Sequence, residues 1–204
     1  VDIIKSEDFD WRVDANIGLN RNEIKSLYDN KEQMIVSAGD NIAGSAQIIY
    51  KPGMDSRTWW VKEWAGVDPK DGSPLWYKKD ADGNKVTTNK YNEANETACG
   101  AFTPDFFGGF TTNLRYKDFD LTAVFGYSVG GKIYNYARME YDSDGAYIDR
   151  NQMKLHNGWS RWEKEGDIAT HPKPVYKNLT NSAKTSSRYL ESATFLKMRI
   201  LMIG

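Results

Sequence analysis

Gly108-Gly-Phe-Thr-Thr-Asn-Leu-Arg-Tyr-Lys-Asp-Phe-Asp-Leu-Thr-Ala-Val-Phe-Gly-Tyr127 contains two runs of period-two alternation that meet at Lys117-Asp118. With those two residues as a hairpin loop, Tyr116 opposes Phe119, Leu114 opposes Leu121, Thr112 opposes Ala123, Phe110 opposes Phe125 and Gly108 opposes Tyr127. Every large apolar residue except Val124 then falls on one side. The other side pairs Arg115 with Asp120, Asn113 with Thr122, Thr111 with Val124 and Gly109 with Gly126. Aromatic and aliphatic pairs face one way, and an opposite-charge pair and a polar pair face the other. Lys-Asp is poor chemistry for a type I′ turn beside Asn-Gly, so the register rests on the pattern.

Working outward, residues 9–19 alternate in the same way. Phe9, Trp11, Val13, Ala15, Ile17 and Leu19 share one face, while Asp10, Arg12, Asp14, Asn16 and Gly18 share the other. That length is close to the ~9–11 residues that a tilted strand needs to cross a bilayer. Near the other end, Leu196, Met198, Ile200 and Met202 alternate with Lys197, Arg199, Leu201 and Ile203. Further strands are expected at residues 57–65, 75–78 and 43–50. Between the runs lie two long polar connections, residues 78–103 and 131–187, of a length that usually signals function or disorder. Short turns at one end and long loops at the other are the layout of an outer-membrane barrel.

Composition narrows the function classes. The 204 residues make about one domain, or a large domain and a fragment. Twenty-seven Lys+Arg against 28 Asp+Glu leave a net charge of −1, which argues against a general nucleic-acid binder. Cys99 is the single cysteine, so neither an internal disulfide nor a thiolate metal site is possible. No apolar run is long enough for a membrane helix, which says nothing against β-strands that are half polar.

Few constellations suggest chemistry. His156 and His171 lack partners at ligand or triad spacing, and no carboxylate pair stands out as a glycosidase would require. Asp80-Ala-Asp82-Gly83-Asn84 and Asp142-Ser143-Asp144-Gly145 have the opening of a calcium loop but not its terminal Glu, and read more simply as Asp/Gly turns. No catalytic, cofactor-binding or metal residue is assigned, no cofactor is expected, and an enzyme is not the expected class. The aromatics are informative instead. Trp59, Trp60, Trp64 and Trp76 lie in or near strands and are expected to pack or to form an interfacial girdle. Trp159 and Trp162 sit in a polar stretch with few apolar neighbours. They suit contact with a sugar ring or a partner surface as well as they suit bracing of the loop. Tyr134 and Tyr136, in the same long connection, are further contact candidates.

Four ordered blocks resemble the SusC/RagA-type TonB-dependent outer-membrane transporters. They are Trp64-Ala-Gly-Val-Asp-Pro-Lys-Asp-Gly-Ser-Pro-Leu-Trp-Tyr77, residues 103–121 beginning Thr-Pro-Asp-Phe-Phe-Gly-Gly-Phe, Gly130-Gly-Lys-Ile-Tyr-Asn135, and residues 186–199 from Ser-Ser-Arg-Tyr to Lys-Met-Arg. The strand over residues 9–24, ending Asn-Arg-Asn-Glu-Ile, is similar to the one preceding these blocks in the family. The resemblance implies an all-β fold: antiparallel strands of a large transmembrane β-barrel, present here as a partial barrel, with long extracellular loops. It implies import of glycans or peptides across the outer membrane of a Gram-negative cell, with a SusD-like surface lipoprotein as lid and energy from TonB. It further implies that residues 1–204 are a late-barrel segment, with TonB box, plug and most strands upstream of Val1 and final strands beyond Gly204. TonB would be met through that upstream region, and the strands would meet outer-membrane lipid. The competing expectation is a secreted, soluble carbohydrate-binding β-sandwich.

Overall fold

A computed structural model describes residues 1–38 and 46–204. The chain opens with a hairpin of β1 (Asp2–Lys5) and β2 (Phe9–Gly18). It then makes a first excursion, in which β3 (Met34–Ser37), β4 (Gln47–Tyr50), β5 (Thr58–Lys62) and β9 (Glu96–Ala101) form one sheet. Within it, β6 (Trp64–Val67), β7 (Pro74–Lys79) and β8 (Lys85–Thr88) form another. The chain returns as β10 (Phe106–Tyr116), turns at Lys117-Asp118 into β11 (Phe119–Val129), and leaves again. This second excursion holds β12 (Lys132–Tyr134), the short helix α1 (Tyr136–Tyr141) and β13 (Leu190–Ser192), and ends in β14 (Phe195–Ile203).

The five long-sheet strands stand in the order β1-β2-β10-β11-β14, antiparallel throughout. Neighbours in space are therefore neighbours in the chain once the two excursions are set aside, which makes an up-and-down meander. Both excursions leave from one edge of the sheet. The short turns gather at the other, where the Lys117 amide donates to the Asp8 carbonyl at 2.8 Å.

Every hairpin pair expected from the alternation is present in β10 and β11, from Tyr116 opposite Phe119 to Gly108 opposite Tyr127. The strand β2 extends both faces, since Trp11 lies beside Leu114 and Val13 beside Thr112. On the apolar face Phe110 and Phe125 stack with ring centres 4.7 Å apart. The Trp11 indole N–H, which would otherwise be stranded there, donates to Thr112 Oγ1 at 3.0 Å. On the polar face Thr122 Oγ1 donates to Asn113 Oδ1 at 2.9 Å. Arg115 pairs with Asp10 on β2, Nη2 to Oδ2 at 2.6 Å, and not with its cross-strand neighbour Asp120 as the hairpin alone suggested.

The last strand departs from simple alternation. The register of β11 with β14 shifts between Val124 and Phe125, so Arg199 has no opposite partner. This bulge puts Leu196 and Met198 on the same face as Leu201 and Ile203, and moves Ile200 and Met202 to the polar face. The Arg199 side chain lies over Gly126, where an added Cβ would sit 2.7 Å from its Nε. Lys78–Thr103, expected as a polar connection, in fact contains β8 and β9. Of the expected strand 43–50, residues 43–45 lie outside the described residues, and Gln47–Tyr50 is strand.

Candidate functional site

The buried core sits among the excursions. Trp59 and Val61 on β5 pack with Tyr134 on β12 and with Tyr189, so the two excursions share one apolar cluster. Hydrogen bonds reinforce the seam: Trp59 Nε1 donates to the Lys132 carbonyl at 2.8 Å, and Tyr91 Oη to the Thr185 carbonyl at 2.8 Å. Trp76 is fully buried with its ring edge-on to Trp64 and to Tyr91. Trp59 and Trp76 thus pack as expected of strand tryptophans.

The long second excursion is built around buried charge. Asp144 accepts from Arg161 Nη1 at 2.8 Å, from Ser182 Oγ at 2.8 Å and from Arg188 Nη1. Arg188 also stands over the Trp64 ring. Asp142 pairs with Arg138 Nε at 2.8 Å, and His171 Nε2 lies 3.2 Å from its Oδ2. Burial pushes Asp142 up, but the His171 contact and the charges of Arg188 and Arg138 outweigh it and hold the carboxyl below its ordinary 3.8. A carboxyl held low when folded contributes stability above 3.8 and loses it as pH falls through the lowered value, so this anchor persists in mild acid. Sequence reading treated Asp142-Ser-Asp144-Gly as a turn and missed the cluster. Its cationic partners lie up to 46 residues away from Asp142, and charge without periodicity gives no signal of contact.

The four aromatic contact candidates occupy different layers. Tyr134 is 8% exposed and belongs to the core. Tyr136 is half-buried above it, 4.6 Å between ring centres, and its Oη accepts from the Ala46 amide. Trp159 is half-buried against His156 and His171, with the Arg138 guanidinium 4.4 Å from its ring. It lines a cleft of about 270 Å³ together with Tyr141, Met153 and Glu191. Trp162 lies on the β6–β7 turn, its indole N–H donating to the Pro69 carbonyl at 3.0 Å.

That last contact requires a glycine. Gly72 has φ +73° and a Cβ there would lie 2.5 Å from the Trp162 ring. Gly72→Ala combines a left-handed backbone with overpacking, and is expected to cost about 1–3 kcal/mol. Hydrogen exchange should then speed up at Gly166 and Lys173, whose amides bond the Pro69 and Gly72 carbonyls. Unchanged exchange at both would contradict this bracing contact.

A further cleft, of about 510 Å³, runs along the seam between β5, β9, α1 and residues 183–185, with Trp60, Tyr91 and Tyr147 in its walls. Its volume is in the range of small-molecule sites. Among the described residues no group of His, Cys, Asp and Glu is arranged to hold a metal.

No protein-family model matches the chain. The TonB-dependent receptor P3 of Formosa agariphila is 28% identical over 216 residues, which cover 98% of this chain and 20% of that protein. The RagAB peptide transporter structure matches with a TM-score of 0.73 at 28% identity, over 99% of this chain and 21% of that one. Along its whole length the chain resembles the SusC/RagA-type TonB-dependent receptors. TonB-dependent receptor SusC of Bacteroides thetaiotaomicron is 23% identical over 98% of this chain and 19% of its own length. The chain thus spans about a fifth of the length of the relatives it matches. They are receptors and transporters, not enzymes. Among the described residues its fold is all-β and antiparallel with one short α-helix, that of a partial barrel.

Proposed function

We propose that residues 1–204 form part of the barrel wall and outer loops of a TonB-dependent importer in the outer membrane of a Gram-negative bacterium. The observation that carries this reading is the two-faced meander. Strands of 9–11 residues in β10, β11 and β14 present an apolar face outward to lipid and a polar face to the lumen, and both long excursions leave from one edge. The excursions are extracellular and the Lys117-Asp118 turn periplasmic. Plug and TonB contact belong to the rest of the full-length protein.

The cargo is an oligosaccharide or a peptide, and a SusD-like surface lipoprotein closes over the excursions. The peptide option is supported by the RagAB likeness; the glycan option is supported by the aromatic-walled clefts. Trp159 and Trp162, both half-buried in the second excursion, contact cargo or lid, and Tyr136 is a further contact candidate, whereas Tyr134 lies in the core. The test is uptake by cells producing the full-length protein. Labelled cargo should enter, and entry should fall to background when the proton-motive force is collapsed. Uptake indifferent to the uncoupler, or recovery of the protein in the soluble fraction, would refute the importer reading.

A further inference from the structure

Trp60 borders two clefts at once. On one side is the 510 Å³ cleft; on the other is a second cleft of about 270 Å³ walled by Tyr77, Asn95 and the β7 lysines. Glu96 is common to both, so the two clefts meet across the Trp60 ridge. Trp60 is half-buried, and its cross-strand neighbours on β4 and β9 are Gln47 and the small Ala98.

The charges around this ridge are unequally satisfied. Lys78 pairs with Glu93 at 2.6 Å, Lys85 with Glu63 at 2.8 Å, and Glu140 with Arg150 at 3.1 Å. Lys62 instead donates to the Ala94 carbonyl and stands 5.0 Å from the Tyr91 ring. Lys184 stands 5.4 Å from the same ring. Lys79 is exposed, and its ammonium, like those of Lys62 and Lys184, has no carboxylate within ion-pair distance among the described residues. Against these three cations the clefts hold, among the described residues, one carboxylate outside an ion pair, Glu96. In a chain of net charge −1, this is a local positive excess.

We infer that the groove across Trp60 binds an acidic oligosaccharide, with the indole as stacking platform and Lys62, Lys79 and Lys184 as partners for carboxylate or sulfate groups. Aromatic platforms accept the apolar face of a pyranose, and ammonium groups without a carboxylate partner gain charge-assisted hydrogen bonds from an anionic ligand. An acidic peptide would use the lysines but not need the ring, which is why the sugar is favoured. The inference rests on the importer reading and names the cargo class for it.

The experiment is calorimetric titration of the full-length protein in detergent with oligogalacturonate, with maltooligosaccharide as neutral control and oligoaspartate as peptide control. Oligogalacturonate is expected to bind with an affinity that falls as salt rises. Trp60→Ala, and separately the exposed pair Lys79→Gln/Lys184→Gln, are expected to weaken it about tenfold or more. Maltooligosaccharide and oligoaspartate should bind less tightly. Both lysines are exposed, so unchanged heat stability in that variant will show that the loss is local. Oligogalacturonate affinity unaltered in both variants, absence of oligogalacturonate binding, or tighter binding of oligoaspartate would each overturn the inference. Energised uptake of some other cargo would at the same time leave the importer reading standing.

Discussion

Asp144→Ala in the full-length protein should release residues 131–194 from protection against hydrogen exchange while the five-stranded sheet stays protected. Asp144 is fully buried and takes donors from Arg161, Ser182 and Arg188, and the Arg188 side chain is only 2% exposed. Removing the carboxylate takes from Arg161 and Arg188 their shared counter-charge, leaving Arg188 only Asp142 at 3.8 Å, which already pairs with Arg138. Breaking a buried, hydrogen-bonded ion pair from one side costs about 3–5 kcal/mol. At about 1.4 kcal/mol per tenfold, local opening becomes a hundredfold or more frequent. The sheet is spared because its own pairs, such as Arg115 with Asp10, lie on other strands. Asp144→Asn keeps one acceptor and should fall between. Equal exchange in wild type and Asp144→Ala would mean that the excursion is held by its apolar cluster alone.

A comparable penalty is expected at the centre of the wall. Val13, Thr112, Ala123 and Leu201 form one row across β2, β10, β11 and β14 on the apolar face. Leu201 is 51% exposed there. Leu201→Arg places a cation in the hydrocarbon layer, and near mid-bilayer that costs about 2–4 kcal/mol. Thr122→Arg, on the opposite face beside Asn113, meets water and polar groups and should be tolerated far better. Folding of both full-length variants into lipid vesicles, followed by urea titration, measures the difference. Equal damage from the two would reject the assignment of faces.

The hairpin was legible because one face is apolar and the other polar, so a slip of one residue would invert every pair from Phe110/Phe125 to Arg115/Asp120. What the hairpin could not reveal was its neighbour. Arg115 takes its ion pair from Asp10 because β2, distant in sequence, docks on the far side of β10. At the other edge Ile200-Leu-Met-Ile203 is apolar on both parities, so the bulge at Arg199 leaves no trace in the pattern. The strands β8 and β9 hid for the opposite reason: Lys-Val-Thr-Thr and Glu-Thr-Ala-Cys-Gly-Ala offer little large apolar material to alternate.

The site was less legible than the fold. Trp162 could be recognised as an unusual loop tryptophan, but only the fold brings its ring onto Gly72. Tyr134 and Trp159 looked equivalent in sequence and lie in different layers, one in the shared core and one at a cleft. Trp60 read, like Trp59, as a strand residue that packs or joins an interfacial girdle. Alternation puts the two indoles on opposite faces of β5, and the face carrying Trp60 borders the grooves.

Topology in the membrane tests the central claim most directly. Lys164→Cys lies in the second excursion and Asp118→Cys in the short turn, and both positions are exposed. The labelling is read against the unsubstituted full-length protein, and within residues 1–204 Cys99 adds little background, because burial pushes it up to about 11 and keeps it protonated at neutral pH. Intact cells producing the full-length protein are treated with a membrane-impermeant maleimide. The account predicts that Lys164→Cys is labelled at once and Asp118→Cys only after the outer membrane is permeabilised. Labelling of Asp118→Cys on intact cells, with Lys164→Cys silent, would contradict it.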